Sequence, residues 1–326
     1  MGKLDVICVG SATFDTIASV PRIPSDDERI MATTFMSAGG GPAATAAVAL
    51  ARLGARVGFC GVVGDDAAGE FVREALIREG VVCDWLTTSP LMSTTQSCIL
   101  ASETTAGRTI VTGVAPEPDS ESIPIGLSTW LHTDQTGYVA TKRALRGSAS
   151  APLLSLDGGN PMIAPDLVGV EIYAPSVPAL LRRYPSVATL VDAMEAAVAD
   201  GARYVVATDG PRGIHVLRED NYDYVEAFDL PVTSTLGAGD VFHGALLAAL
   251  LNGCDLLGAV REANAVAALS CRALDGRSAI PDRSELRAFL SSVGGGRRSE
   301  AVSKVRGESI CLTQTGFWSV KCPTQT

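Results

Sequence analysis

The feature that most constrains this chain is an alternation. Short apolar runs and longer helical stretches follow one another, with glycine at the joints. Residues 4–9 read as a buried strand ending at Gly10, and 57–63, 153–156, 172–173 and 204–207 as later strands, with 214–217 in a hairpin. Between them an Ala-rich helix is expected over 43–53, stopped by Gly54, and another over 67–79, stopped by Gly80. Further helices are expected over 188–199, 239–251, 256–274 and 284–292. Apolar strands joined by helices make a mostly parallel sheet covered on both faces. Residues 29–35, 95–100 and 109–112 alternate or are β-branched and read as strands of a second, smaller sheet, whereas 39–42 read as a sharp turn.

The chain has 326 residues, 47% hydrophobic and 19% charged, enough to bury a sizeable core. A net charge of −10 argues against nucleic acid or an anionic membrane as partner. The longest apolar stretch, 241–251, is too short to span a bilayer, and Asp5 interrupts the N-terminal run that a signal peptide would need. None of the eight cysteines forms a C-x-x-C pair, and Cys8 and Cys60 sit in strand-like runs, so reduced buried thiols in a cytoplasmic protein are expected. The chain changes character at Gly294-Gly295-Gly296-Arg297-Arg298. Residues 295–326 lack helical periodicity and carry five Lys/Arg against Glu300 and Glu308; they are expected to form a flexible tail outside a domain of residues 1–294.

Two glycine-rich turns point to chemistry. Ser234-Thr235-Leu236-Gly237-Ala238-Gly239-Asp240 runs straight into Val241-Phe242-His243-Gly244-Ala245-Leu246-Leu247. Unpartnered N–H groups at a helix start bind anions, and an aspartate in the first turn is placed to take a proton from a hydroxyl. An anion cradle beside a carboxylate base is the equipment for moving a phosphoryl group onto an alcohol. The second turn is Gly39-Gly40-Gly41-Pro42-Ala43-Ala44-Thr45-Ala46-Ala47, followed by Gly61-Val62-Val63-Gly64-Asp65-Asp66, where glycine lets backbone approach a ligand closely.

These two motifs, in this order and spacing, resemble the signatures of the PfkB (ribokinase-like) carbohydrate kinases over roughly residues 6–290. Thr208-Asp209-Gly210-Pro211-Arg212-Gly213 is similar to the family's strand-end loop that lines the nucleotide, and Ala263-Asn264-Ala265-Val266-Ala267 to its adenine-side helix. The resemblance implies a three-layer α/β/α domain with a small β-sheet lid, formed from about 13–38 and 92–113 and often used in dimer contacts. It implies an ATP- and Mg²⁺-dependent sugar kinase with Asp240 as base and the Gly237, Ala238 and Gly239 amides as anion hole. Asp15, Gly40, Gly41 and Arg108 would meet the sugar, and Thr208, Gly210, Gly213, Asn264 and Ala267 the nucleotide.

The chain departs from the family pattern in three places. The usual Asp is Ser234, the usual sugar-touching Asn is Ala44, and the N-x-x-E motif is missing from Tyr173-Ala174-Pro175-Ser176-Val177-Pro178-Ala179. In motif detail the chain is most similar to the sulfofructose kinase branch. Of the three positions that grip the sulfonate there, here Arg29, Thr112 and Thr136, Arg29 alone can hold an anion, so sulfofructose is not assigned. A nucleoside kinase and a catalytically weak sugar sensor are the alternatives. No G-x-G-x-x-G follows the first strand, no Walker A sequence is present, and the three histidines are too dispersed in sequence to suggest zinc.

Overall fold

The computed structural model describes residues 3–148, 151–219 and 221–294, together with two short strands beyond them. The first half of the chain forms β1 (Leu4–Val9), β2 (Thr13–Val20), β3 (Thr34–Gly40), α1 (Pro42–Arg52), β4 (Val57–Gly64), α2 (Ala67–Arg78), β5 (Val82–Ser89), β6 (Gln96–Ser102), β7 (Arg108–Thr112), β8 (Ser128–Thr133), α3 (Tyr138–Leu145) and β9 (Leu153–Asp157). There follow β10 (Ile172–Ala174), α4 (Val177–Arg183), α5 (Leu190–Ala199), β11 (Tyr204–Thr208), β12 (Ile214–Arg218), β13 (Asn221–Val225), α6 (Ala238–Leu251), α7 (Leu256–Ser270) and α8 (Arg283–Gly294). Of the expected tail, β14 (Ile310–Leu312) pairs antiparallel with β15 (Trp318–Val320); its other residues lie outside those described.

Nine strands form one sheet in the order β13-β12-β11-β10-β9-β8-β1-β4-β5. Its pairs are parallel from β11 to β5, and β12 and β13 close one edge antiparallel. Residues of β1 alternate between two cores. Val6 and Cys8 face a cluster with α1, α2, α6, α7 and α8, and Ile7 and Val9 face one with α3, α4 and α5. That is the three-layer arrangement a buried parallel sheet requires. No helix among the described residues is long and apolar enough to cross a membrane.

The chain leaves β1 toward β4 on one side and returns to β8 on the other, which opens a crevice at the carboxyl ends of these strands. Over it lies a second sheet of four strands, β3-β2-β6-β7, in which β2 and β6 pair in parallel and the outer pairs are antiparallel. Its inner face packs Ile17, Ala38 and Ile99, with Met36, against Leu236 and Leu274 of the main body.

Three expectations are corrected here. The strand read at 29–35 begins at Thr34, and the turn read at 39–42 is instead the end of β3 followed by one left-handed residue, Gly41, with φ +90°. A side chain at Gly40 would collide with the Asp15 carboxylate, and one at Gly39 would lie 2.6 Å from Arg277 Nη1. The glycines are there for close approach, not for a bend. Pro42 then opens α1, where a missing N–H costs nothing. Helix α7 also stops at Ser270, short of the expected 274.

Candidate active site

The crevice is a cleft of about 380 Å³. The strand ends, α1 and the lid deliver Ser11, Thr13, Asp15, Gly40, Gly41 and Ser97 to it, the cap of α6 delivers Gly237, and its first turn delivers Asp240. Arg108 reaches it from the first residue of β7, and its Nη1 donates to Thr235 Oγ1 at 2.8 Å, tying the lid to the turn before α6.

Gly237 caps α6 in the left-handed region, φ +72°, which no side chain adopts cheaply, and a Cβ there would lie 2.9 Å from Gly276 Cα. Nothing stands within 4 Å of where a Gly239 Cβ would be, so the first turn of the helix is open. Asp240 follows directly. Burial, then the charge of Asp157, pushes its carboxyl up to about 7, although His243 and Arg108 pull it down.

Asp15 is 7% exposed and accepts from Thr13 Oγ1 at 2.6 Å. Burial raises its pKa against Thr13, Ser97 and the charge of Arg277. Asp134, just past β8, is fully buried behind Ser11 and the start of α1. It accepts from Ser11 N and Oγ at 2.8 Å, from Thr136 N at 2.8 Å, from Gly137 N at 3.0 Å and from Ala43 N in the first turn of α1 at 3.3 Å. Burial still raises its pKa. This carboxylate holds the Ser11 and Gly41 walls in register.

The structure therefore brings Asp15, Gly40, Gly41, Arg108, Gly237 and Asp240 to one cleft, with Ala238 and Gly239 next to it on α6. Arg29 is exposed and is not among the residues lining the cleft. The nucleotide candidates form a separate group. Thr208 ends β11 and bridges to Ser176; Gly210 and Gly213 flank a short turn, with open space at Gly210. Asn264 Nδ2 donates to the Glu226 carbonyl at 2.8 Å, and Ala267 packs half-buried on the core. None of these five lines the cleft that holds Asp15 and Asp240.

Sequence reasoning missed Arg277. It is 6% exposed, donates from Nε to Thr45 Oγ1 at 3.1 Å and from Nη2 to the Gly40 carbonyl at 2.7 Å, and so braces α1 and β3 beneath the Gly40 side of the cleft. Burial lowers its pKa to about 10 against the pull of Asp15 and Asp240. Its only signal is the preceding Gly276, which packs on Gly237. No group of three or more His, Cys, Asp or Glu able to hold a metal occurs among the described residues.

Residues 3–124 and 175–283 match the profile described as pfkB family carbohydrate kinase. The chain is 26% identical over 296 residues to a ribokinase of Haemophilus influenzae, covering 86% of this chain and 97% of that protein. Among solved structures it is similar to the ribokinase of Thermotoga maritima, with a TM-score of 0.78, 22% identity, and 88% of this chain and 99% of that one covered. It is also similar to an Arabidopsis thaliana ribokinase complexed with ribose and ATP, with a TM-score of 0.74, 22% identity, and 89% and 99% covered. The family match thus defines a phosphotransferase that uses a hydroxyl acceptor. The chain belongs to the pfkB family of carbohydrate kinases.

Proposed function

We propose that this chain transfers the γ-phosphoryl group of ATP to a hydroxyl of a sugar or sugar derivative, with Asp240 as the base. The observation that carries the reading is the placement of Asp240. It stands in the first turn of a helix whose open N-terminus faces the same cleft as Asp15, Gly40 and Gly41. A carboxyl held near pKa 7 is half ionised at neutral pH and still basic enough to accept a proton.

The residues present fit a nucleotide. The open space at Gly239 admits a phosphate against the Gly237, Ala238 and Gly239 amides, and Thr208, Gly210, Gly213, Asn264 and Ala267 offer a surface for the base and ribose. With no cluster of metal-ligating side chains among the described residues, Mg²⁺ would be held by phosphate oxygens and water. When bound, ATP supplies the phosphoryl group, and Mg²⁺ neutralises charge on it. The protein orients the acceptor through Asp15, takes its proton at Asp240, and offers backbone N–H groups where negative charge grows. The lid, latched by Arg108 to Thr235, keeps water out.

The outer lid face supports a homodimer. The strand register puts Thr16, Phe35, Ser37, Cys98, Leu100 and Val111 on the side away from the cleft, and Phe35 is 72% and Val111 69% exposed. A second copy of the chain is the occupant that this unpartnered apolar face fits. The exposed position of Arg29, off the cleft, gives the sulfofructose branch no support beyond motif likeness.

The test is ADP release with ATP and Mg²⁺ against sugars, sugar acids, sulfosugars and nucleosides, with Asp240→Asn in parallel. Turnover on one class of sugar is expected, falling about 10²–10⁴-fold in the variant while the sugar still binds. Sugar binding without turnover on any compound would favour a sensor and overturn the reading.

A further inference from the structure

Beneath Asp240 the protein buries titratable groups that a hydroxyl acceptor and a nucleotide do not themselves require. Asp157, at the end of β9, is 3% exposed, and His243, three residues after Asp240 on α6, is 4% exposed. His243 Nε2 lies 3.2 Å from Asp157 Oδ1, and the same oxygen accepts the Gly159 amide at 2.8 Å. His132 of β8 is fully buried, its ring 5.5 Å from that of His243, with Nδ1 at 3.2 Å from Ser155 Oγ. His132 Nε2 and His243 Nδ1 are buried without a hydrogen-bond partner. Ionising a carboxylate this deep is costly, and a charged partner offsets that cost; apolar residues of similar size would pack the space at less cost. The pair therefore calls for a role.

We propose that the buried Asp157–His243 pair positions and tunes Asp240: His243 holds a proton throughout turnover and cancels the charge of Asp157, so that the base next to it ionises at neutral pH. The proposal rests on Asp240 being the base. Asp157 alone would oppose ionisation of Asp240, and an imidazolium one helical turn away favours it. The other charges facing Asp240 are Arg108 from β7, Arg277 beyond α7 and Asp134 beyond β8; His243 is faced by Asp157, Asp240 and His132. Burial pushes His243 down, but Asp157 first and Asp240 after it lift its pKa above the ordinary imidazole range. Burial pushes Asp157 up, and the charge of His243 more than reverses this. The remaining histidines go the other way: burial takes His132 to about 3 and His215 to about 4.

Two readouts test the pair, one of them independent of turnover. The chain has three histidines, so an NMR pH titration of ring-labelled histidine in the full-length protein resolves each. One imidazole is expected to be protonated at neutral pH in the wild type and neutral there in Asp157→Asn. Three neutral imidazoles in the wild type would overturn the proposal. The second readout is the pH profile of kcat/KM on the sugar found by the ADP screen. His243→Gln strands the Asp157 charge beside the base and moves the acid limb up by about one pH unit. Asp157→Asn/His243→Gln removes that charge and brings the limb back toward the wild type. Rate losses that are equal at every pH, with the limb unmoved, would mean a purely structural role and sink the idea. If His243→Gln does not fold, the double variant and the titration carry the test. If no sugar turns over, the base reading falls, and the titration alone judges the pair.

Discussion

Asp240 shows at a single side chain how function and stability oppose each other. Its ordinary carboxyl pKa is about 3.9, and the folded protein lifts it to about 7, so folding favours the protonated acid. Its contribution to stability is therefore full below about pH 4 and is lost as pH rises through about 7. Asp240→Asn, which cannot ionise, is expected to melt at a higher temperature than the wild type at about pH 8, with the gap closing toward pH 4. Thermal unfolding at the two pH values decides this, and an equal gap at both would refute it. Asp240 was legible in sequence because a glycine turn, an acid and an apolar helix lie within a few residues of each other. Arg277 was not legible. Its partners Thr45 and Gly40 are more than 230 positions away, and no local pattern marks a guanidinium as a brace. Asp157 and His243 show the same limit, since each is ordinary until the fold sets them 3.2 Å apart.

Among elements, the crossing of α1 and α6 governs the cleft, because α1 begins at the Gly41 wall and α6 begins at the Gly237 turn. The two helices touch at Gly244, where a Cβ would collide with the Ala46 carbonyl and lie 2.9 Å from the Ala49 side chain. Backbone is in the way there, so the helices must part to admit a larger residue. Gly244→Val is expected to cost about 1–3 kcal/mol through overpacking, read as a lower urea midpoint with an unchanged slope. An unaltered midpoint would show that the crossing has slack. The elements that sequence revealed were those with one simple environment. β1 beyond Asp5 and all of β4 are apolar, and glycine stands at the end of each run (Gly10 and Gly64), since both of their faces are covered. β2 was harder to see as a strand, because Asp15, Thr16 and Ser19 break its apolar run where one face meets a polar cleft. Helices α3 and α4 are short and carry few buried side chains, so periodicity had little to act on.

The two large sheets differ in their cover: helices pack both faces of the nine-stranded one, and the lid packs its inner face on the main body. The free face of the lid is where a second copy is expected. Phe35→Glu with Val111→Glu should convert a dimer to a monomer in sedimentation velocity while each chain keeps its melting temperature. A wild type that sediments as a monomer at tens of micromolar would defeat that expectation. The lid's other face has a different consequence. Its apolar underside rests on Leu236, which is the residue immediately before Gly237. If the Gly237 turn holds a phosphate as proposed, roof and trigger share one support: a lid lifted off Leu236 would leave that turn without its apolar backing. An open enzyme would then be a disarmed one.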